Sequence, residues 1–85
     1  MKATKIEAEI NFKNGKRTIE MELKEDYEIH DCEVEKVIML NLFNGENYTG
    51  IFKGMDDDQI MLGSLSGENT IGLSIAVVND YFEEL

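Results

Sequence analysis

Short segments in which apolar and polar residues alternate, separated by turn residues, run along most of this chain. In Lys5–Phe12 every second residue is apolar, and the same period returns at residues 18–23, after an Asn14-Gly15 pair. Period-two alternation with one apolar face is typical of a half-buried strand, and Asn-Gly favours a tight type I′ hairpin turn. Residues 5–23 are therefore predicted to form a β-hairpin.

The rest of the chain shows the same kind of pattern in shorter pieces. Apolar segments lie at residues 36–43, 47–55, 59–62, 70–73 and 76–82. The second of them contains Gly50 and Gly54, and glycine inside a strand usually marks a bulge, a sharp bend or a close approach of two backbones. Several short strands with regular turn signals favour a barrel or a sandwich. We predict an all-β fold: a small, strongly bent, partly open five-strand barrel preceded by the hairpin.

The 85 residues suffice for one domain, which we divide into three parts. The hairpin occupies residues 1–23, a connection occupies residues 24–35, and the barrel occupies residues 36–85. The connection carries apolar residues at Tyr27 and Ile29, and this spacing is compatible with either a short strand or a helical turn.

The net negative charge of the chain argues against nucleic-acid binding more clearly than it indicates any other partner. Eighteen acidic residues against eight basic ones give a net charge of −10, and only Lys36 and Lys53 are basic after residue 35. Phosphate backbones are bound by clustered Lys and Arg, so nucleic acid is an improbable partner. The acidic surface either keeps the protein solvated or docks a basic partner. A single cysteine, no secretory signal and no long apolar run predict a cytoplasmic protein without a membrane segment.

Residues 38–62 match a known motif. The alternating apolar positions fall on Ile38, Leu40 and Leu42, the turn glycine on Gly45, the aromatic on Tyr48, the second glycine on Gly50 and the final aspartate on Asp56. This stretch resembles the first motif of the Sm-like family of small β-barrels, and residues 70–78 look like that family's last two strands joined by a one-turn link. The resemblance covers residues 36–82 and implies the barrel fold.

The resemblance does not extend to the family's RNA site. RNA-binding members carry an asparagine after the aspartate, where this chain has Asp58, Gln59 and Ile60, and an Arg-Gly pair in the second motif, where it has Ile71-Gly72. The predicted hairpin also stands where the family usually has a short helix. The resemblance therefore implies the fold without the RNA-binding residues.

Three groups of polar residues are candidates for chemistry, and each has a simpler interpretation. The aspartates at 56–58 could bind a cation, but further ligands at calcium-loop spacing are missing, so a polar turn is favoured. His30 and Cys32 are too few for a zinc site within one chain. The bases Lys13, Lys16 and Arg17 suit an exposed hairpin turn as well as an anion site. We expect no enzyme activity, no metal and no cofactor.

The apolar strand at residues 36–43 predicts an interaction surface. If Ile38, Leu40 and Leu42 face the barrel interior, their neighbours must face outward. The predicted outward residues are Val37, Met39 and Phe43, joined by Tyr81 and Phe82 near the chain end. Either the hairpin or another subunit must cover them, and we expect the hairpin to do so within one chain.

These observations predict a non-catalytic module that acts through protein–protein contacts, with an Sm-like RNA-binding protein as the alternative. Covering by the hairpin would partly block the family's usual ring edge, so a monomer or dimer is expected rather than a ring of six or seven subunits. Structural roles are predicted for Gly45, Gly50 and Gly54.

Overall fold

The computed structural model describes residues 4–85, which form one antiparallel sheet and two 3-10 helices. The strands are β1 (Lys5–Phe12), β2 (Gly15–Glu25), β3 (Val37–Leu42), β4 (Asn47–Asp56), β5 (Gln59–Gly63), β6 (Thr70–Ser74) and β7 (Val78–Glu84). Their order across the sheet is β1-β2-β7-β3-β4-β5-β6. The all-β prediction is confirmed. The sheet is not closed by strand pairing, since β1 and β6 form its two edges.

The predicted N-terminal hairpin is present, but its turn differs from the type I′ expectation. Phe12 pairs with Gly15, so Lys13 and Asn14 are the two linking residues and Gly15 already belongs to β2. Gly15 has φ 127°, whereas Asn14 does not have a positive φ. The geometry is that of a turn followed by a left-handed glycine, the alternative to type I′ in short hairpins.

The hairpin is part of the same sheet as the other five strands because β2 pairs with β7. The paired residues run from Met21 opposite Glu84 to Glu25 opposite Asp80. This pairing links segments far apart in the chain and was not predicted from the sequence. It places the hairpin against the outward side of β3.

The buried apolar residues form two clusters on opposite sides of β3. The main core contains Ile29, Ile38, Leu40, Phe52, Ile60, Leu62, Val78 and Tyr81. The hairpin core contains Ile10, Ile19, Met21 and Val37, with Met39 and Phe82 packed against it. Ile38 and Leu40 therefore face one core, and their neighbours Val37 and Met39 face the other, as the period of two requires.

Strand β4 bends strongly, as its glycines predicted. The pairing with β5 shifts register between Phe52 and Met55, and Gly54 between them has φ 107°. A residue with a side chain rarely adopts this conformation. The bulge redirects the strand before it enters the turn at Asp57.

Two 3-10 helices join the strands. Asp26–Asp31 resolves the connection as a helical turn, with a reciprocal capping box between Glu25 and Glu28 and with Ile29 fully buried. Ile75–Val77 joins β6 to β7, and the Ser74 hydroxyl accepts a hydrogen bond from the Ala76 N–H. Neither helix in residues 4–85 has the length and hydrophobicity needed to cross a membrane.

Candidate interaction surfaces

The outward side of β3 is covered by the hairpin. Val37 is 3% exposed, and Met39 is partly buried against the same cluster. The Val37 N–H donates to Glu84 Oε1 at 2.9 Å, which ties the start of β3 to the end of β7. These two side chains lie inward in the folded chain, so they are not available to a partner.

Phe82 and Tyr81 lie on opposite faces of β7. Phe82 packs with the hairpin core, whereas Tyr81 is fully buried in the main core, opposite Leu40. The expectation that Tyr81 faces outward is therefore corrected. Tyr81 and Phe82 are adjacent in β7, so only one of them can face outward, and a bulge beside Asn41 and Leu42 lets Tyr81 face the same core as Val78.

The Tyr81 hydroxyl belongs to a small polar cluster at the rim of the main core. It donates to Glu83 Oε1 at 3.0 Å, and Glu83 Oε2 also accepts from Lys36 Nζ at 3.3 Å. Burial, followed by the hydrogen bond to Glu83, holds the pKa of Tyr81 well above its usual range. Burial and the nearby Glu83 likewise raise the pKa of the Cys32 thiol to about 12. Both groups are therefore neutral at physiological pH.

Phe43 is the one member of the predicted outward set that solvent reaches freely. Its side chain is 69% exposed at the end of β3. Its N–H donates to the carbonyl oxygen of Val77 at 3.1 Å, so the two backbones are adjacent, and the Val77 side chain is also exposed. We call Phe43 and Val77 the Phe43 patch.

The predicted structural glycines have different physical reasons. Gly45, in the turn between β3 and β4, has φ 90° and open space around it. Gly50 lies so close to β5 that a Cβ would overlap the carbonyl oxygen of Gly63 and approach Leu62 Cγ to 2.8 Å. Gly54 serves the bulge of β4 through its positive φ, with Val34 Cγ1 at 3.8 Å from its Cβ position.

The edge formed by β6 was not predicted from the sequence. Beside this strand lies an open groove of about 150 Å³ with a mainly apolar lining, to which Tyr48, Leu62 and Ile71 contribute. Ile71 is 45% exposed. A signal was present in the sequence, because residues 69–79 form its longest stretch without a charged residue.

The basic hairpin turn is an exposed, open surface. The Arg17 guanidinium lies 4.2 Å from the centroid of the Phe12 ring, and Lys16 Nζ lies 3.7 Å from Glu9 Oε2. Phe12, Lys13, Lys16, Arg17 and Leu65 are among the residues that line an open depression. Arg17 gains a cation–π contact, whereas the exposed ion pair contributes little.

The remaining polar candidates do not assemble into a catalytic or metal centre. Asp56, Asp57 and Asp58 are exposed in the turn between β4 and β5. His30 and Cys32 lie at the end of the first 3-10 helix, not on one face of a strand. Across residues 4–85 no group of three or more His, Cys, Asp or Glu side chains is placed to hold a metal ion.

Comparisons of the chain with protein-family models, with curated proteins and with solved structures found no match in any of the three.

Proposed function

We propose that this chain is a non-catalytic binding and assembly module that acts through protein–protein contacts in the cytoplasm, and that β3 to β7 form an Sm-like barrel. The barrel proposal is supported by the bend of β4 at Gly54, the one-turn link Ile75–Val77 and the main core on one side of the bent sheet. The hairpin was expected in place of the family's short helix, but the 3-10 helix Asp26–Asp31 lies between the hairpin and β3, so a short helix still precedes the proposed barrel.

The observation that carries the binding proposal is the exposed Phe43 patch. A Phe side chain that is 69% exposed leaves most of its apolar surface in water, whereas β3, which ends one residue before it, buries Val37 and Ile38 almost completely. Covering it would stabilise a complex by roughly 1–2 kcal/mol, since full burial of such a side chain contributes about 1.5–3 kcal/mol. Exposed apolar side chains at a protein surface are suited to contact with another protein.

The proposal that the chain is not a catalyst rests on the protonation and solvent exposure of its polar groups. The Cys32 thiol is held in its neutral form, which is a poor nucleophile. The aspartates of the β4–β5 turn are exposed to solvent, whereas paired-carboxylate catalysis needs a buried member.

A small assembly is favoured over a ring because β7 is paired on both sides within the chain. It lies between β2 and β3 in the sheet, so neither of its edges is free. A further subunit cannot add to β7 without displacing the hairpin. Sedimentation velocity at tens of micromolar should give a monomer or dimer, and a dominant species of six or seven chains would overturn this part of the proposal.

Photo-crosslinking tests the binding proposal directly. A benzoyl-phenylalanine is placed at Phe43 in one variant and at Tyr27, which is 66% exposed, in a matched control. Irradiation in cells should give discrete protein adducts from position 43 that position 27 does not give. Equal labelling from both positions, or adducts to RNA alone, would refute a protein-binding role for the patch.

A further inference from the structure

Strand β6 is an edge without the usual protection against pairing. Within residues 4–85 it pairs only with β5, so one row of its backbone N–H and C=O groups has no strand beside it. Edge strands are commonly protected by charged side chains, proline or bulges. The opposite edge, β1, carries Lys5, Glu7 and Glu9, whereas β6 reads Thr-Ile-Gly-Leu-Ser and carries none of these features.

The apolar surface of the main core continues to this edge. Ile71 lies directly opposite Leu62 of β5, and Leu62 is buried in that core. Directly paired residues project from the same face of a sheet, so Ile71 extends the buried face outward to the rim. Its 45% exposure and the groove it shares with Tyr48 leave room for a side chain from an added strand.

The sequence of β6 is complementary to itself in antiparallel pairing. With Gly72 opposite Gly72 of a second strand, Ile71 faces Leu73 and Thr70 faces Ser74, and each pair occurs twice. Aliphatic pairs and hydroxyl pairs across neighbouring strands both stabilise a sheet. All five residues of the strand are used in this register, and it is symmetric about a two-fold axis, as a homodimer requires.

The distribution of charge favours a second copy of this chain as the occupant. Residues 59–79, which include β5 and β6, contain one charged residue, Glu68, although the whole chain carries −10. The paired strands themselves would bring no charged side chains together, and the acidic turn at residues 56–58 lies only beside Ser74 at one end of β6. A strongly basic or acidic partner would find no opposite charge on this strand to select it.

We infer that β6 pairs with β6 of a second copy, antiparallel and centred on Gly72, so that two seven-stranded sheets become one continuous sheet. The inference rests on the proposed assembly function and names its partner.

Sedimentation velocity over a concentration series tests the dimer. The wild-type chain should approach twice its mass of 9.7 kDa as concentration rises. Ile71→Lys should weaken the dimer by roughly tenfold or more, because it places two cations in the interface. Val34→Lys is the matched control, since Val34 is 57% exposed but lies outside both β6 and the Phe43 patch, and it should leave the dimer unchanged.

Each result separates this inference from the general proposal. A wild-type chain that stays monomeric to several hundred micromolar would overturn pairing through β6. The crosslinking experiment at Phe43 would still test the proposed binding function independently. A dimer that persists in Ile71→Lys, or that is lost equally in Val34→Lys, would also overturn pairing through β6.

A disulfide test checks the register. Cys32 is first replaced by serine, since it is the only cysteine of the chain. Gly72→Cys should then form an intermolecular disulfide on mild oxidation, because directly opposed residues have Cα atoms about 4.5–5.5 Å apart, within disulfide range. Thr70→Cys is the control: in the centred register its two copies are four residues apart along the strands, about 13 Å. Faster crosslinking from position 70 than from position 72 would refute the register.

Discussion

Adding one methyl group at Gly50 should destabilise the protein by about 2 kcal/mol. The Cβ of Gly50→Ala would overlap the Gly63 carbonyl oxygen and lie 2.8 Å from Leu62 Cγ. Carbon atoms in contact prefer about 3.5–4.0 Å, so β4 and β5 must separate by roughly 1 Å. Overpacking costs about 1–3 kcal/mol, and a backbone carbonyl cannot rotate out of the way as a side chain can. The reduced entropy of the unfolded chain offsets only about 0.4–1 kcal/mol.

Urea denaturation at one fixed protein concentration measures this change, with Gly63→Ala as the matched control. Gly63 lies on the neighbouring strand, and a Cβ there meets the side chain of Lys53, with Cε at 2.9 Å and Cγ at 3.3 Å. That partly exposed side chain can move, so the control should stay within about 1 kcal/mol of wild type. A Gly50→Ala variant as stable as Gly63→Ala would refute the close approach of β4 and β5.

Three further predictions concern binding, the hairpin and alkaline pH. Fluorescence anisotropy with U-rich RNA and with duplex DNA should detect no micromolar binding near physiological salt, and tight, steeply salt-dependent binding would contradict the charge argument. Deleting residues 1–23 should uncover Val37 and Phe82 and cause aggregation in a light-scattering assay; a soluble, folded monomer would count against the hairpin core. Because the pKa of Cys32 is raised from 9.0 to about 12 in the folded protein, its contribution to stability is complete below pH 9 and is lost as pH rises toward 12. The unfolding free energy should fall over this interval less steeply in Cys32→Ser, and equal slopes would disprove the coupling.

The strands could be predicted because their signals are local. The alternation in β1 and β2 and the inward phase of Ile38 and Leu40 follow directly from a period of two, and the structure confirms them. The bend of β4 could be predicted because a glycine inside a strand usually marks a bulge, a bend or a close approach of backbones, as at Gly50 and Gly54.

The features that were missed depend on contacts between distant segments. Pairing of β2 with β7 leaves no local pattern, since any two amphipathic strands could satisfy it. Tyr81 and Phe82 were both predicted to face outward, although neighbouring strand residues alternate, and the bulge in β7 beside Asn41 and Leu42 that sets Tyr81 on the core side was not visible in the sequence. The sheet edge at β6 was missed because a pattern of apolar residues does not say which strand lacks a neighbour.

The position of β7 between β2 and β3 has a consequence for how the chain folds. Of the seven strands it is the last to be synthesised, yet it joins the hairpin to the other strands and supplies residues to both cores. A nascent chain that ends before Val78 has a hairpin that is marginal alone and a main core without Val78 and Tyr81. Folding must therefore wait for the final strand, and its long-range pairings make it slow for a chain of this length. A premature stop within β7 should yield a protease-sensitive chain and not a partly folded domain.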